Sequence, residues 1–224
     1  MDQDPSYKLT EEVARQAAEV SFKVDDRWQI AFSNPTAGPW KRIHLGGYTG
    51  GRDLKYAKEE DRPDLILFAR NQGLFLILEA KDDIGKLLQV TGGSKSPQYS
   101  QLIKSAGVFG KEVQRIDTIL GDAECARLVF GKDVSGYHVS PGYLFPEPPA
   151  GQLQRVDQLV RAHRALCLDP QNERLRSCVL FMVHRHGDGR LTVHCLLDWA
   201  SSEVRARLTE ALPTNITVTP AMGG

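Results

Sequence analysis

Three charged residues border two apolar segments in the first half of the chain. Asp64 directly precedes Leu65–Ala69, Glu79 directly follows Leu74–Leu78, and Lys81 lies two positions further. Carboxylate oxygens are ligands that Mg²⁺ prefers, and a bound Mg²⁺ lowers the pKa of water and stabilises negative charge on a phosphate. A neighbouring lysine can orient or deprotonate the attacking water. These residue types in this order therefore suit metal-dependent hydrolysis of a phosphodiester bond.

A β-hairpin is predicted to position these residues. The polar insert Arg70–Gly73 ends in glycine and separates two apolar runs of strand length. Whether the turn takes two of these residues or all four, Asp64 falls opposite Glu79, and opposed side chains have β-carbons about 4.5–5.5 Å apart. Lys81 returns to the same face by strand alternation, and the Ala80 carbonyl can add a third oxygen ligand. The hairpin thus predicts a metal and catalytic site at one edge.

Both strands of this hairpin are apolar on both faces, which is typical of strands in the middle of a layered domain. We therefore predict an α/β fold, a central mixed β-sheet flanked by helices on both faces, with the hairpin as its second and third strands. The charged residues then lie at the rim of a core, where unpaired charge is costly unless a metal or counter-charge satisfies it. The alternative is that the strands end at the surface and that the charges are solvated.

Pro63-Asp64 followed by Glu79-Ala80-Lys81 resembles the motif of the PD-(D/E)XK nuclease superfamily, which has the restriction-endonuclease-like fold. The placement of the motif on two consecutive apolar strands agrees with that family, and the resemblance covers about residues 10–120. It implies that Asp64 and Glu79 bind Mg²⁺ and that Lys81 assists the attacking water. It also implies that an acid on the first helix often completes the metal site.

The first helix carries three acids, of which one is the candidate for this role. Thr10 is a good N-cap, and Glu11 and Glu12 lie in the first turn, where the helix dipole favours acids. Helical spacing of valine and alanine continues to about Val24. Glu19 lies midway along the helix near its apolar stripe and is the predicted metal-site acid, although a solvated helix surface explains it equally well. We interpret Glu11 and Glu12 as dipole partners.

Several basic and amide side chains are candidates for DNA contacts. Asn34–Arg52 is a long loop rich in glycine and proline, and loops of this length are typically functional or disordered. A second loop precedes Pro97, which begins a long amphipathic helix. Two glutamines near the start of that helix resemble a glutamine found in recombination-type members of the superfamily. The alternative is that all of these residues are solvated. The candidates are Lys41, Arg42, His44, Lys95, Gln98 and Gln101.

A second hairpin is predicted near the C-terminus, where Cys178–His186 and Arg190–Leu197 flank Gly187–Gly189. With these three residues as the loop, one face of the hairpin is apolar and the other is polar. Three interpretations of the polar face stay open: a zinc site, a surface that contacts DNA or another partner, and an ordinary polar face. The polar face holds Met182, His184, His186, Arg190, Thr192 and His194.

Composition limits the class of protein. The chain has 224 residues, a formal net charge of zero and 25% charged residues, so a DNA-binding function needs a local basic face. Four cysteines without CxxC spacing are typical of reduced thiols, and we find no signal peptide or apolar run of membrane length, so we expect a cytoplasmic protein with no membrane partner. We predict a single nuclease domain over residues 1–224, with a catalytic core at about 10–145 and a C-terminal helix-hairpin-helix extension at about 146–224 packed on it.

The predicted function is that of an Mg²⁺-dependent, sequence-specific endonuclease acting on double-stranded DNA, similar to type II restriction enzymes and working as a homodimer. The first alternative is a structure-selective, repair or phage-defence nuclease of the same fold. The second is a nucleic-acid-binding member without activity, although the intact Asp64, Glu79 and Lys81 argue against it.

Overall fold

The computed structural model describes residues 10–33, 64–69, 72–88, 138–170, 176–196 and 202–219. Four helices lie in these ranges: α1 (Glu11–Lys23), α2 (Ile84–Leu88), α3 (Gln154–Leu168) and α4 (Ser202–Ala211). A short 3₁₀ turn, Ala150–Gln152, precedes α3. The strands are β1 (Trp28–Ser33), β2 (Leu65–Ala69), β3 (Leu74–Ala80), β4 (His138–Pro146), β5 (Val179–Arg185), β6 (Leu191–Leu196) and β7 (Thr217–Thr219).

The seven strands form one mixed sheet in which spatial order follows chain order, from β1 to β7. β1, β2 and β3 are antiparallel neighbours, β3, β4 and β5 are parallel neighbours, β5 and β6 are antiparallel, and β6 and β7 are parallel. The predicted α/β fold with a mixed sheet is confirmed at this level. The first predicted hairpin does supply the second and third strands of the sheet.

Both predicted hairpin registers are observed. Leu65 lies opposite Leu78 and Ala69 opposite Leu74, which is the pairing expected from the polar insert. In the second hairpin His194 lies opposite Met182, as expected for a three-residue loop. Gly73 and Gly189 close the two turns with φ values of 55° and 84°, a left-handed conformation that glycine adopts without steric cost.

The central strands are buried on both faces, which explains their continuous apolar sequence. On one face, which we call the α1 face, leucines of β2 and β3 pack with α1 and α4 around Phe22. The opposite face carries a second set of buried side chains, among which the rings of Phe68 and Phe75 stack with centroids 4.3 Å apart. α2 and α3 also pack against each other.

The N- and C-terminal parts of the described chain are joined by side-chain hydrogen bonds to a helix end. The buried Trp28 indole donates to the Ala211 carbonyl at 2.6 Å, and Arg27 donates to the Glu210 carbonyl at 3.2 Å. These bonds satisfy carbonyls in the last turn of α4 that have no partner within the helix. At the start of α1, Thr10 caps the helix by accepting a bond from the Val13 N–H at 3.3 Å, as predicted.

Within the described ranges, each helix is too short or too polar to span a lipid bilayer.

Candidate functional site

The Asp64 carboxylate is fixed against the backbone of β3. The backbone N–H of Asp64 donates to the Leu78 carbonyl at 3.0 Å, just beyond the last pair of the β2–β3 ladder. Its Oδ2 accepts a hydrogen bond from the Ala80 N–H at 2.7 Å. Because this bond comes from the residue next to Glu79, the sequence-predicted pair of acids is brought together at the end of the hairpin.

Lys81 completes this group. Its Nζ lies 2.6 Å from Glu79 Oε1, and only 14% of its side chain and 22% of the Glu79 side chain are exposed. The backbone N–H of Lys81 donates to the Leu144 carbonyl at 2.8 Å, so the residue is held by the sheet as well as by its charge partner. The structure therefore brings Asp64, Glu79 and Lys81 to one place, which we call the hairpin site.

Burial makes both acids of the hairpin site harder to ionise. It raises the pKa of Glu79 to about 7, with a further increase from the nearby Asp64 charge and an opposing effect from Lys81. Burial also raises the pKa of Asp64, although the Ala80 N–H and the Lys81 charge act in the other direction. Two desolvated carboxylates thus share the field of one adjacent lysine, an arrangement that a further cation would stabilise.

The oxygen atoms present at the site match the coordination chemistry of Mg²⁺. Mg²⁺ is usually held by one or two carboxylates while its other positions keep water or substrate phosphate. Asp64 and Glu79 supply two carboxylates, and the Ala80 carbonyl projects from the strand edge on the same side as its N–H, toward Asp64. In the described part of the chain no three or more His, Cys, Asp or Glu side chains form a ready metal cage. The hairpin site fits Mg²⁺ as an open, partly hydrated site.

The two candidate acids of α1 have different surroundings. Glu19, the sequence-predicted acid, is held by Arg15 and by the Ser33 hydroxyl of β1, with Lys23 Nζ at 4.0 Å. Glu11 instead contributes to raising the pKa of both Asp64 and Glu79. The charge of Glu11, which sequence reasoning assigned to the helix dipole, thus adds to the effect of burial on both acids of the hairpin site.

Sequence reasoning assigned Glu11 to the helix dipole because the position of this residue in α1 has two explanations. An acid in the first turn of a helix is favoured by the dipole wherever that helix lies. The signal that distinguishes the two roles is tertiary: Lys86 of α2 lies 3.7 Å from Glu11 and 2.6 Å from Asp82, which directly follows Lys81. The start of α1 thus lies beside the segment that leaves the hairpin site.

The predicted DNA contacts divide into two groups. Lys41, Arg42, His44, Lys95, Gln98 and Gln101 lie outside the described residues. His184, His186 and Arg190 belong to the second hairpin, where His184 and His186 are half-buried and Arg190 is exposed. A hydrogen bond between His184 Nδ1 and the carboxylate of Glu147 was not expected from the sequence, because Glu147 follows a different strand, β4.

Neither a model of a known protein family, nor a curated protein, nor a solved structure matched the chain. The resemblance of Pro63-Asp64 and Glu79-Ala80-Lys81 to a nuclease motif therefore stays a prediction.

Proposed function

We propose that the chain is an Mg²⁺-dependent endonuclease that hydrolyses phosphodiester bonds of double-stranded DNA at the hairpin site. The observation that carries this proposal is the pair of desolvated carboxylates, Asp64 and Glu79, with the Lys81 ammonium 2.6 Å from Glu79. A structural ion pair needs only one acid for one lysine. A second buried acid with a raised pKa costs stability, and a divalent cation removes that cost.

The roles of the residues follow from their positions. Asp64, Glu79 and the Ala80 carbonyl would hold Mg²⁺, which when bound supplies an activated water and neutralises charge on the scissile phosphate. Lys81 orients the attacking water or takes its proton, and its charge opposes the negative charge that develops on the phosphate. Hydrogen bonding fixes Asp64 before substrate arrives, so little ordering remains to be done in the reaction.

Glu11 is the α1 acid that we assign to this site in place of Glu19. Its charge acts on both Asp64 and Glu79, whereas the Glu19 carboxylate is already neutralised by Arg15. At 44% exposure, Glu11 can move toward a cation, and its contact with Lys86 at 3.7 Å is long enough to be exchanged. The same proposal also includes three more specific features: a restriction-endonuclease-like core, sequence-specific cleavage and a homodimer.

Digestion of a supercoiled plasmid with Mg²⁺ tests the proposed function. Wild type is compared with Asp64→Asn and Lys81→Ala, and Lys23→Ala serves as the matched control because Lys23 is a largely exposed lysine of α1. We expect cleavage by wild type and Lys23→Ala, and a loss of at least about a hundredfold in the two site variants, which is typical for removing one acid–base or electrostatic group.

The pattern of DNA products distinguishes the kinds of nuclease that the proposal allows. Discrete bands indicate a sequence-specific enzyme, and a smear that both site variants abolish indicates a non-specific or structure-selective nuclease. No cleavage by wild type, or cleavage that Asp64→Asn and Lys81→Ala leave unchanged, contradicts the proposed function.

A further inference from the structure

Four side chains on the polar face of the second hairpin and one that follows β4 form a connected group, which we call the histidine face: His184, His186, Thr192 and His194, with Glu147. Glu147 contacts Nδ1 of His184, and the two imidazoles of His184 and His186 meet edge to face with ring centroids 4.5 Å apart. Thr192 Oγ1 lies 3.1 Å from His186 Nε2 and 3.2 Å from His194 Nε2. These contacts order the imidazole rings while leaving them partly exposed.

The histidine face lies on the same face of the sheet as the hairpin site. Glu79 pairs with Tyr143, and Tyr143 pairs with Leu180, so the three side chains project from one face. Strand alternation then carries this orientation from Glu79 to Lys81 and from Leu180 to His184. The apolar core around α1 lies on the other face.

Both groups also lie at the same edge of the sheet. β3, β4 and β5 are parallel, so their carboxyl ends meet at one edge, where ligands of open α/β sheets typically bind. Ala80 is level with Leu144 and Phe181, and His184 is three residues beyond Phe181. Two strand spacings and three residue steps place His184 about 14 Å from Ala80, the rise of roughly four nucleotides of duplex DNA.

The side chains of this face have the chemistry of a nucleic-acid contact. Neutral imidazoles and threonine hydroxyls can each donate and accept hydrogen bonds, so they can bind phosphate oxygens, sugars or base edges. Arg190, which ends the turn beside His186, has a side chain that is 67% exposed, with its Nε 3.9 Å from Asp188 Oδ2. Gly187, Asp188 and Gly189 of the same turn are also exposed.

We propose that the histidine face binds the DNA strand that extends from the scissile phosphate, with His184, His186 and Arg190 in direct contact. This inference rests on the proposed function for the position of the scissile phosphate. Glu147 fixes His184 through Nδ1 and leaves its Nε2 directed away from the carboxylate, available to the DNA. Glu147 is thus a positioning residue, and its own negative charge works against a nearby phosphate.

Binding is measured by fluorescence anisotropy with a short labelled duplex, in a Lys81→Ala background that prevents cleavage. The duplex carries the cleavage site found by plasmid digestion, or a fragment of the same plasmid if no site is found. The variants are His184→Ala, His186→Ala, Arg190→Ala and Glu147→Gln. His138→Ala is the matched control, because His138 is an exposed histidine at the amino end of β4, on the opposite edge of the parallel strands. Thermal unfolding of each variant confirms that it is folded.

We expect His184→Ala and His186→Ala to raise Kd about tenfold, as for the loss of one specific contact, and His138→Ala to leave it unchanged. Arg190→Ala should also weaken binding and reduce the slope of log K against log salt concentration by about 0.9, since one phosphate contact is lost. Glu147→Gln should bind DNA at least as tightly as the background, because the amide oxygen can still accept a hydrogen bond from His184 Nδ1 while a negative charge is removed.

Unchanged Kd values in folded His184→Ala, His186→Ala and Arg190→Ala variants would overturn this inference even if the wild type cuts DNA. The proposed function fails separately, through the digestion experiment. A wild type that cuts nothing but whose DNA affinity drops in the same three variants supports the DNA surface and contradicts the nuclease.

Discussion

Glu79 and Asp64 are the hairpin-site residues whose burial destabilises the folded protein most, because both carboxylates are desolvated. Each is largely withdrawn from water, and Lys81 is the charge partner in direct contact with Glu79. A carboxylate without enough compensating charge responds by holding its proton more tightly. Because the pKa of Glu79 is raised, the protonation of this residue is linked to the folding stability of the metal-free protein.

Glu79 should make the metal-free protein less stable as pH rises. Between its ordinary pKa of 4.5 and its folded-state pKa of about 7, the folded protein binds more protons than the unfolded chain. Stability is then lost as pH increases through this window, by about 1–3 kcal/mol after allowing for the residual exposure of the side chain. We predict that Glu79→Gln flattens the dependence and unfolds at higher urea concentration than wild type near pH 8.

Urea unfolding in the presence of a chelator measures this effect at several pH values. Lys23→Ala should show the same pH dependence of stability as wild type, since the Lys23 side chain is largely exposed and does not belong to the hairpin site. Equal pH dependence in wild type and Glu79→Gln would show that Glu79 is not desolvated as the structure indicates.

Glu11 and Glu19 can be told apart by matched substitutions on the same helix. Glu11→Gln removes a charge that acts on both hairpin-site acids, so we predict a loss of Mg²⁺-dependent cleavage of about tenfold or more with little change in stability. Glu19→Gln should leave cleavage largely intact but lower stability, because the buried Arg15 loses the nearer of its two acidic partners, Glu19, and keeps Glu12 at 3.6 Å. Cleavage and thermal unfolding of the two variants are compared. The opposite pattern of activity would restore Glu19 as the metal-site acid.

At this scale the sequence predicted the group Asp64, Glu79 and Lys81 because all three lie on one local element. The positions of strand residues relative to a short turn follow from alternation and from the length of the turn. The α1 acid depends on how a helix packs against strands that are distant in the chain. No spacing within α1 distinguishes Glu11 from Glu19 for that purpose.

The strands at the centre of the sheet approach each other closely at one glycine. Gly142 of β4 lies between Leu78 of β3 and Val179 of β5, and these two strands are its neighbours on either side. A β-carbon at this position would lie 2.6 Å from Val179 Cγ2 and 2.7 Å from the Val179 carbonyl oxygen. The parallel β3–β4–β5 arrangement that aligns the two proposed functional surfaces thus depends on a residue without a side chain.

Gly142→Ala should therefore be destabilising. The new methyl group meets backbone as well as side chain, and overpacking of this kind costs about 1–3 kcal/mol. Gly187→Ala is the matched control, since its β-carbon would meet nothing within 4 Å and its turn should tolerate the change. Chemical denaturation measures both. A Gly142→Ala protein as stable as Gly187→Ala would contradict the close approach of β4 and β5.

Elements with strong local signals were predicted well. The N-cap of α1 and both hairpins each have a characteristic run of residues, and the structure contains them near the predicted positions. The bonds from Arg27 and Trp28 to the end of α4 had no such signal, because they join residues that are more than 180 positions apart. Packing partners of this kind follow from the tertiary fold and not from periodicity.

On the scale of the whole molecule, the sheet aligns two groups that are far apart in sequence. The hairpin site and the histidine face lie on one face and at one edge, although more than a hundred residues separate Lys81 from His184. Strands that are apolar on both faces predicted a central mixed sheet but not the order of its strands. The order depends on the β3–β4 and β4–β5 pairs. These pairs are parallel and therefore lack the short turns by which hairpins are recognised in a sequence.

Binding of Mg²⁺ requires the folded molecule, because Asp64 and Glu79 come together only when β2 and β3 pair in the sheet. The proposed nuclease function depends on this binding. At pH 7 part of the Glu79 carboxyl is protonated, so a cation bound there must displace protons. Metal binding and proton release are therefore expected together, and a surface carboxylate with an ordinary pKa would not show the second effect.

Isothermal titration calorimetry with Mg²⁺ near pH 7, in buffers of different ionisation enthalpy, tests this claim most directly. We predict that wild type binds Mg²⁺ with release of protons, that Lys81→Ala still binds, and that Asp64→Asn binds at least about tenfold more weakly because one ligand is lost. Absence of Mg²⁺ binding by the wild type, or binding that Asp64→Asn leaves unchanged, would contradict a metal site on this hairpin.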